Sequence, residues 1–278
     1  MTGRAENTEY PSTVEAALTY LVNTGEKPVV YPSEAGGRSE RQTGKYSDHR
    51  VTIRNGRDSR DPFSLDQEGF VLIESETHVR NFYNDQELRA VYDTEIEQLV
   101  RSVTGAAKVI VFDHTRRANV AATRGQKKVR EPVRTVHSDY TERSATRRIR
   151  DLLPSSEAEQ RLQNRFAIIN IWRPIVGPVR TAPLAVCDAQ SIAARDLVAT
   201  ERRARDRVGE LYHVSFNPNH RWYYFPDMQP DEVLAIKTYD SAVDGTARFT
   251  AHTSFDNPTV RSGATSRESI ESRSFVFF

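Results

Sequence analysis

Cysteine is almost missing from this sequence. Its 278 residues hold one, Cys187. No disulfide can close within the chain, and no zinc site built on several thiolates is available. A reducing cytosol is therefore the simplest expectation for compartment. Long apolar runs are also missing. None approaches the ~20 residues needed to cross a bilayer, and residues 1–11 lack the apolar segment of a secretory leader. No repeat of fixed period is visible. Neither sign of charge dominates: 39 basic residues face 38 acidic ones, for a net charge of +1. That balance argues against a protein built to grip nucleic-acid phosphates, while leaving room for a local basic patch. No G-x-G-x-x-G follows a strand-like run, which speaks against a Rossmann-like nucleotide site.

What is present suits one globular unit. Hydrophobic residues make up 37% of the chain and charged residues 28%, enough for a core, and no linker divides it. Residues 12–22 (STVEAALTYLV) read as a short helix, with Ser12 or Thr13 as cap and Ala17, Leu18 and Leu21 on one face. Residues 33–44 read as a loop, and 46–54 and 69–74 as strands. The clearest helix spans 85–105, where Leu88, Val91, Tyr92, Ile96, Leu99 and Val103 keep its period and Gly105 suits its end. From residue 108 the pattern changes to short runs rich in β-branched and aromatic residues, such as KVIVFDHT, FAIINIWRPI and EVLAIKTYD. Two charged stretches, 141–165 and 189–208, read as helices. Their basic runs, 143–150 and 201–208, have acidic neighbours and read as solvated helix faces. The expected architecture is mainly β with flanking helices: a helical or mixed flank over 1–107 and a sandwich or barrel core over 108–278.

The sharpest chemical feature is His137-Ser138-Asp139. Residues i and i+2 of a strand share a face, so the imidazole and the carboxylate point together. One more histidine from a distant strand completes a set of two imidazoles and one carboxylate, which binds iron(II) and leaves positions open. His252 is the candidate, and the 113 residues after Asp139 have room for several strands. On spacing alone, His114 or His213 could take its place. Taken by itself, His-x-Asp is equally a solvated surface pair.

A second constellation follows. Arg267 and Ser269 share a strand face, and together they can hold a carboxylate through charge-assisted bonds. Glu271 and Arg273 continue that face, so Arg273 could serve instead, and a salt-bridged strand is the plainer reading. Asn170 and Trp172 also share a face. Asn170 can donate to a keto-acid carboxylate near a metal, and Trp172 can wall a pocket, though core packing explains Trp172 as well. Arg180 could meet an anionic substrate or lie on the surface. Tyr223, in the aromatic run 222–225, is a further pocket candidate.

In order, the segments HSD, INIWRPIVGPVR, PLAVCDAQS, HRWYYFPDMQPDEVLAIKTYDS, AHTSFDNP and RESIESRSFVFF carry a resemblance. From about Phe112 to the C-terminus the chain resembles the hydroxylase/desaturase group of non-haem oxygenases. That group holds the cephamycin-pathway methoxylation component and fungal oxygenases of meroterpenoid and related pathways. The resemblance implies a double-stranded β-helix fold, iron(II), 2-oxoglutarate as cosubstrate and dioxygen. It also implies His137, Asp139 and His252 as metal ligands and Arg267 as the cosubstrate clamp. The substrate expected is a small, specialised-metabolite-like molecule, oxidised by hydroxylation or desaturation. Expected partners are that substrate and a second copy of the chain, without nucleic acid or membrane. Two rival readings are a non-catalytic β-barrel binding protein with a vestigial metal site, and a methyltransferase.

Overall fold

The computed structural model describes residues 10–261 and 263–278. Its strands form two sheets that face each other. The larger runs in the order β1 (Thr13–Val22), β4 (Lys45–Asn55), β12 (Trp222–Tyr224), β9 (Leu184–Cys187), β14 (His252–Ser254), β7 (His137–Ser138), β11 (Val208–Val214), β10 (Leu197–Arg203), β2 (Val29–Tyr31) and β3 (Arg41–Gln42). The smaller runs β5 (Phe70–Glu74), β13 (Glu232–Asp240), β8 (Phe166–Val176), β15 (Glu268–Phe277) and β6 (Lys108–Ala118).

Alternation explains which faces meet. Leu184 and Val186 of the larger sheet pack with Phe70, Trp172, Leu234 and Ile236 of the smaller one, so these positions point inward. The intervening Ala185 and Cys187 join Val136, Val214, Trp222 and Tyr224 on the larger sheet's other face. Every residue of β13 and the first nine of β8 are buried, as expected of central strands covered on both sides.

The helix expected over 85–105 is present as α1 (Asp85–Glu87), a π-type turn (Leu88–Tyr92) and α2 (Asp93–Thr104). The Asn84 side chain accepts from the Gln86 and Glu87 amides, and Gly105 ends the run at φ 68. Its buried side chains Leu88, Tyr92, Ile96 and Val100 cover the outer face of the smaller sheet. Each contributes on the order of 1.5–3 kcal/mol through burial. Three more helices follow: α3 (Ala121–Lys127), α4 (Glu142–Leu152) and α5 (Ser155–Leu162). The last two confirm the helical reading of 141–165.

Two expectations fail. Residues 13–22 are a strand, paired antiparallel with β4 from Thr13–Arg54 to Val22–Lys45. Val14, Ala16, Leu18 and Tyr20 are buried at period two. Ala17 and Leu21 mimicked a helical stripe, and ten cross-strand pairs overrode it. The stretch 189–208 is likewise no helix. It holds two single 3-10 turns, Ala189–Ser191 and Ala194–Asp196, and then β10, which pairs with β11 through seven residue pairs. Within residues 10–107, β1 to β5 all enter the two sheets, and α1 and α2 are the helices beside them.

Candidate metal and cosubstrate site

β7 is two residues long, and its brevity places the site. His137 lies in the ladder opposite His252 of β14, so the two side chains share the inner face. Their ring centroids are 4.4 Å apart. The strand stops after Ser138, and the Thr141 side chain then caps α4 by accepting from the Ser144 amide. Asp139 stands in the short link between strand and helix. Its Oδ1 lies 3.6 Å from His137 Nε2. One nitrogen or oxygen from each of His137, Asp139 and His252 falls within 4.8 Å of the others, close enough to share one metal ion.

The backbone selects which nitrogen is offered. His137 Nδ1 lies 2.8 Å from the Thr135 carbonyl, and His252 Nδ1 lies 3.4 Å from the Thr250 carbonyl. A carbonyl can only accept, so each Nδ1 carries the proton and each Nε2 turns a lone pair to the centre. Burial pushes the His137 pKa down to about 3, with the neighbouring His252 adding to the effect. The other two histidine candidates are not brought in as ligands. His114 spends Nδ1 on Ser272 and Nε2 on Asp93. His213 sits opposite His137 in the ladder but bonds Tyr46, and burial lowers its pKa to about 4.

Asp139 is held from behind. Its Oδ2 accepts from Asn170 Nδ2 at 2.7 Å and from Arg273 Nε at 2.8 Å, while Oδ1 stays toward the imidazoles. Burial alone would raise its pKa, but Arg273, His252 and His137 outweigh that and hold the carboxyl well below the usual range. Glu271 completes a network. Its Oε1 accepts from Asn170 Nδ2 at 2.8 Å and its Oε2 from Arg273 at 2.7 Å. Both amide hydrogens of Asn170 are thus spent inside the protein, which corrects its expected role as a donor to the keto-acid. Glu271 and Arg273 were visible in the sequence as an inward-facing pair, but their tie to Asp139 needs the two sheets to be folded together.

Arg267 and Ser269 meet as the alternation suggested. Arg267 Nε donates to Ser269 Oγ at 3.0 Å, and one terminal nitrogen donates to the Ala182 carbonyl at 2.7 Å. The guanidinium lies 4.9 Å from the Trp172 ring centroid. It is 2% exposed, and among the described residues no carboxylate lies within ion-pair distance of it. Burial, with Arg117 nearby, pulls its pKa down to about 9. Trp172 Nε1 is also buried with no hydrogen-bond partner. A buried cation without a counterion, beside a spare donor, suits an anionic ligand. Arg273 is excluded as the alternative clamp, since it is already spent on Asp139, Glu271 and Asp113.

The remaining pocket candidates divide. Tyr223 lies opposite Val186, which lies opposite His252, so Tyr223 faces inward two strands away. Its ring packs on Phe63 at 4.9 Å. Arg180 is elsewhere: it is exposed and paired with Asp227 at 2.9 Å, and Asp227 also accepts from Tyr10. A nearby carboxylate was enough to keep it on the surface.

Comparison with known proteins agrees with this geometry. The family model described as Oxidoreductase/YMDC permease-like domain matches residues 18–277. The hydroxylase/desaturase CTB9 of Cercospora beticola is 35% identical over 259 residues, covering 84% of this chain and 78% of the relative. The Fe(II)/2-oxoglutarate-dependent dioxygenase nvfI of Aspergillus novofumigatus is 34% identical over 241 residues, covering 84% of each. This chain belongs to the same family of iron(II)- and 2-oxoglutarate-dependent oxygenases. A solved structure titled iron and alpha-ketoglutarate-dependent endoperoxidase NvfI superposes on the oxygenase with a TM-score of 0.82. It is 29% identical and covers 96% of this chain and 98% of its own. The expected double-stranded β-helix core is thereby established, and the catalytic reading is favoured over a vestigial barrel. No helix among the described residues of the oxygenase is long and apolar enough to cross a membrane.

Proposed function

We propose that His137, Asp139 and His252 hold iron(II), that Arg267 and Ser269 hold the distal carboxylate of 2-oxoglutarate, and that residues 1–278 act as one catalytic unit on a small molecule. The observation that carries this reading is the pair of imidazoles whose Nδ1 atoms are tied to backbone carbonyls, leaving two Nε2 atoms beside Asp139 Oδ1. Two nitrogens and one carboxylate oxygen suit a non-haem iron(II) centre with open positions. When bound, that metal and the keto-acid supply the activation of dioxygen and the removal of a substrate hydrogen.

The chain's own residues do the positioning. Asn170 and Arg273 fix the Asp139 carboxylate so that one oxygen faces inward. Arg267 binds and orients a dicarboxylate through charge, while Trp172, Leu184, Val186 and Leu234 keep water from that end of the barrel. The substrate reading extends the names of the relatives, which include hydroxylases/desaturases and an endoperoxidase. A cytosolic setting is supported by the single, buried Cys187.

Purified protein given iron(II), ascorbate and 2-oxoglutarate should form succinate, and His137→Ala should abolish it. Unchanged succinate formation by that variant would remove the metal assignment.

A further inference from the structure

The two basic runs read from sequence as solvated faces, 143–150 and 201–208, converge on one cleft. Arg148 of α4 lines it from one side. Arg202 of β10 and Arg207 of the β10–β11 turn line it from another, and Arg130 closes it. The cleft holds about 420 Å³, and Asp139 and Arg273 are among the residues that line it. That volume is within the range of small-molecule sites, and of the proposed metal ligands Asp139 lines it.

Charge in the cleft is unbalanced in a specific way. Each carboxylate lining it already has a cationic partner: Asp139 and Asp113 with Arg273, Asp151 with Arg147, and Glu210 with Lys27 and Arg143. Among the described residues, Arg130, Arg148, Arg202 and Arg207 have neither an ion pair nor a side-chain hydrogen bond. Arg148 Nε is buried without a partner. Burial lowers the Arg202 pKa to about 10, and the neighbouring Arg130, Arg273 and Arg207 push it the same way. Four half-buried guanidiniums facing one space, with every local acid already engaged, repel one another until an anion enters. Gly209, the register partner of Arg202, adds no side chain to fill that space.

We propose that this cleft is the substrate site and that the substrate is an organic oxyanion, a carboxylate- or phosphate-bearing molecule whose charged end rests on Arg130, Arg202 and Arg207 while its body reaches toward Asp139. This rests on the reading of Asp139 as a metal ligand. The planar fork of arginine suits both oxyanions, so the chemistry is shared and the source is left to the test.

The test is calorimetric titration of protein saturated with Mn(II) and 2-oxoglutarate, so that Arg267 is already occupied. The probes are phenylacetate, phenyl phosphate and the neutral phenylacetamide. At least one anion should bind and the amide should not, and preference between the anions names the oxyanion. Arg202→Gln and Arg207→Gln should each weaken that binding at least tenfold, with 2-oxoglutarate affinity unchanged. Melting temperatures should stay level or rise, because each variant relieves repulsion. If one variant fails to fold, the other decides. Equal binding of the amide, no binding of either anion, or wild-type affinity in the folded variants would overturn the proposal. The metal reading fails separately. If 2-oxoglutarate does not bind at all, titration of metal-free protein still decides the cleft, because binding there responds to Arg202→Gln and not to Arg267→Ala.

Discussion

Arg273 Nε lies 2.8 Å from Asp139 Oδ2, joining the last strand of the smaller sheet to the link after β7 in the larger one. The same guanidinium reaches Glu271 at 2.7 Å and Asp113 at 3.0 Å, so one cation compensates three carboxylates. Removing it strands buried negative charge. Arg273→Leu should cost about 3–5 kcal/mol of stability, read as a lower midpoint in urea denaturation. Tolerance within about 0.5 kcal/mol would mean that this network does not tie the sheets together.

Asn170 acts on the same carboxylate without carrying charge. Asn170→Ala should keep the fold, because it leaves Arg273 in place, yet lower metal affinity about 10–100-fold. Competitive titration with a chelator measures this directly, and an unchanged affinity would show that Asn170 does not orient Asp139.

Arg267 gives the opposite sign for stability and binding. Its guanidinium is buried without a counterion, so Arg267→Met should leave the melting temperature of ligand-free protein level or raise it. The same variant should lose the stabilisation that 2-oxoglutarate gives the wild type, about 2.7 kcal/mol at a hundredfold excess over Kd. A variant that still melts higher with 2-oxoglutarate would place the clamp elsewhere.

Acid sensitivity follows from buried neutral imidazoles. Burial lowers the His213 pKa to about 4, against an ordinary value near 6.5. Between those values the unfolded chain binds a proton that the folded chain does not. Stability is therefore full above about pH 6.5 and declines as pH falls toward 4. His213→Phe should flatten part of that decline in metal-free protein, measured by denaturation at a series of pH values. An unchanged slope would mean that His213 does not contribute.

Cys187 is buried, and burial pushes its pKa up to about 12. A thiol reagent at neutral pH should label it only as fast as the protein opens. Rapid labelling of native protein would contradict the packing around β9.

The proposed metal constellation was suggested by a local rule, the two-residue spacing of His137 and Asp139. The two-residue spacing did bring His137 near Asp139 and Arg267 near Ser269, although Asp139 lies in the link after β7 and Arg267 one residue before β15. Spacing alone left His114 and His213 open beside His252; the family resemblance pointed to His252, and the fold brings it to His137 and Asp139. Asn170 was placed on the correct face but given the wrong partner, because Asp139 comes from the other sheet. Arg180 was left open between an anionic substrate and the surface, and its partner Asp227, 47 residues away, lay out of reach of a local reading. The helices expected over 12–22 and 189–208 failed for a shared cause. Each segment carries a pattern compatible with a helix, and long-range pairing with β4 or β11 decided otherwise.

The spacing along β15 has a consequence for selectivity. Ser269, Glu271 and Arg273 are consecutive inward positions on one rigid strand, about 6.8 Å apart at the usual rise, with Arg267 at its entrance. The proposed clamp and the group that steadies Asp139 thus sit at a separation set by the polypeptide itself, like marks on a ruler. A keto-diacid one methylene shorter or longer, such as oxaloacetate or 2-oxoadipate, could not satisfy both ends, and this oxygenase should discriminate among them by length.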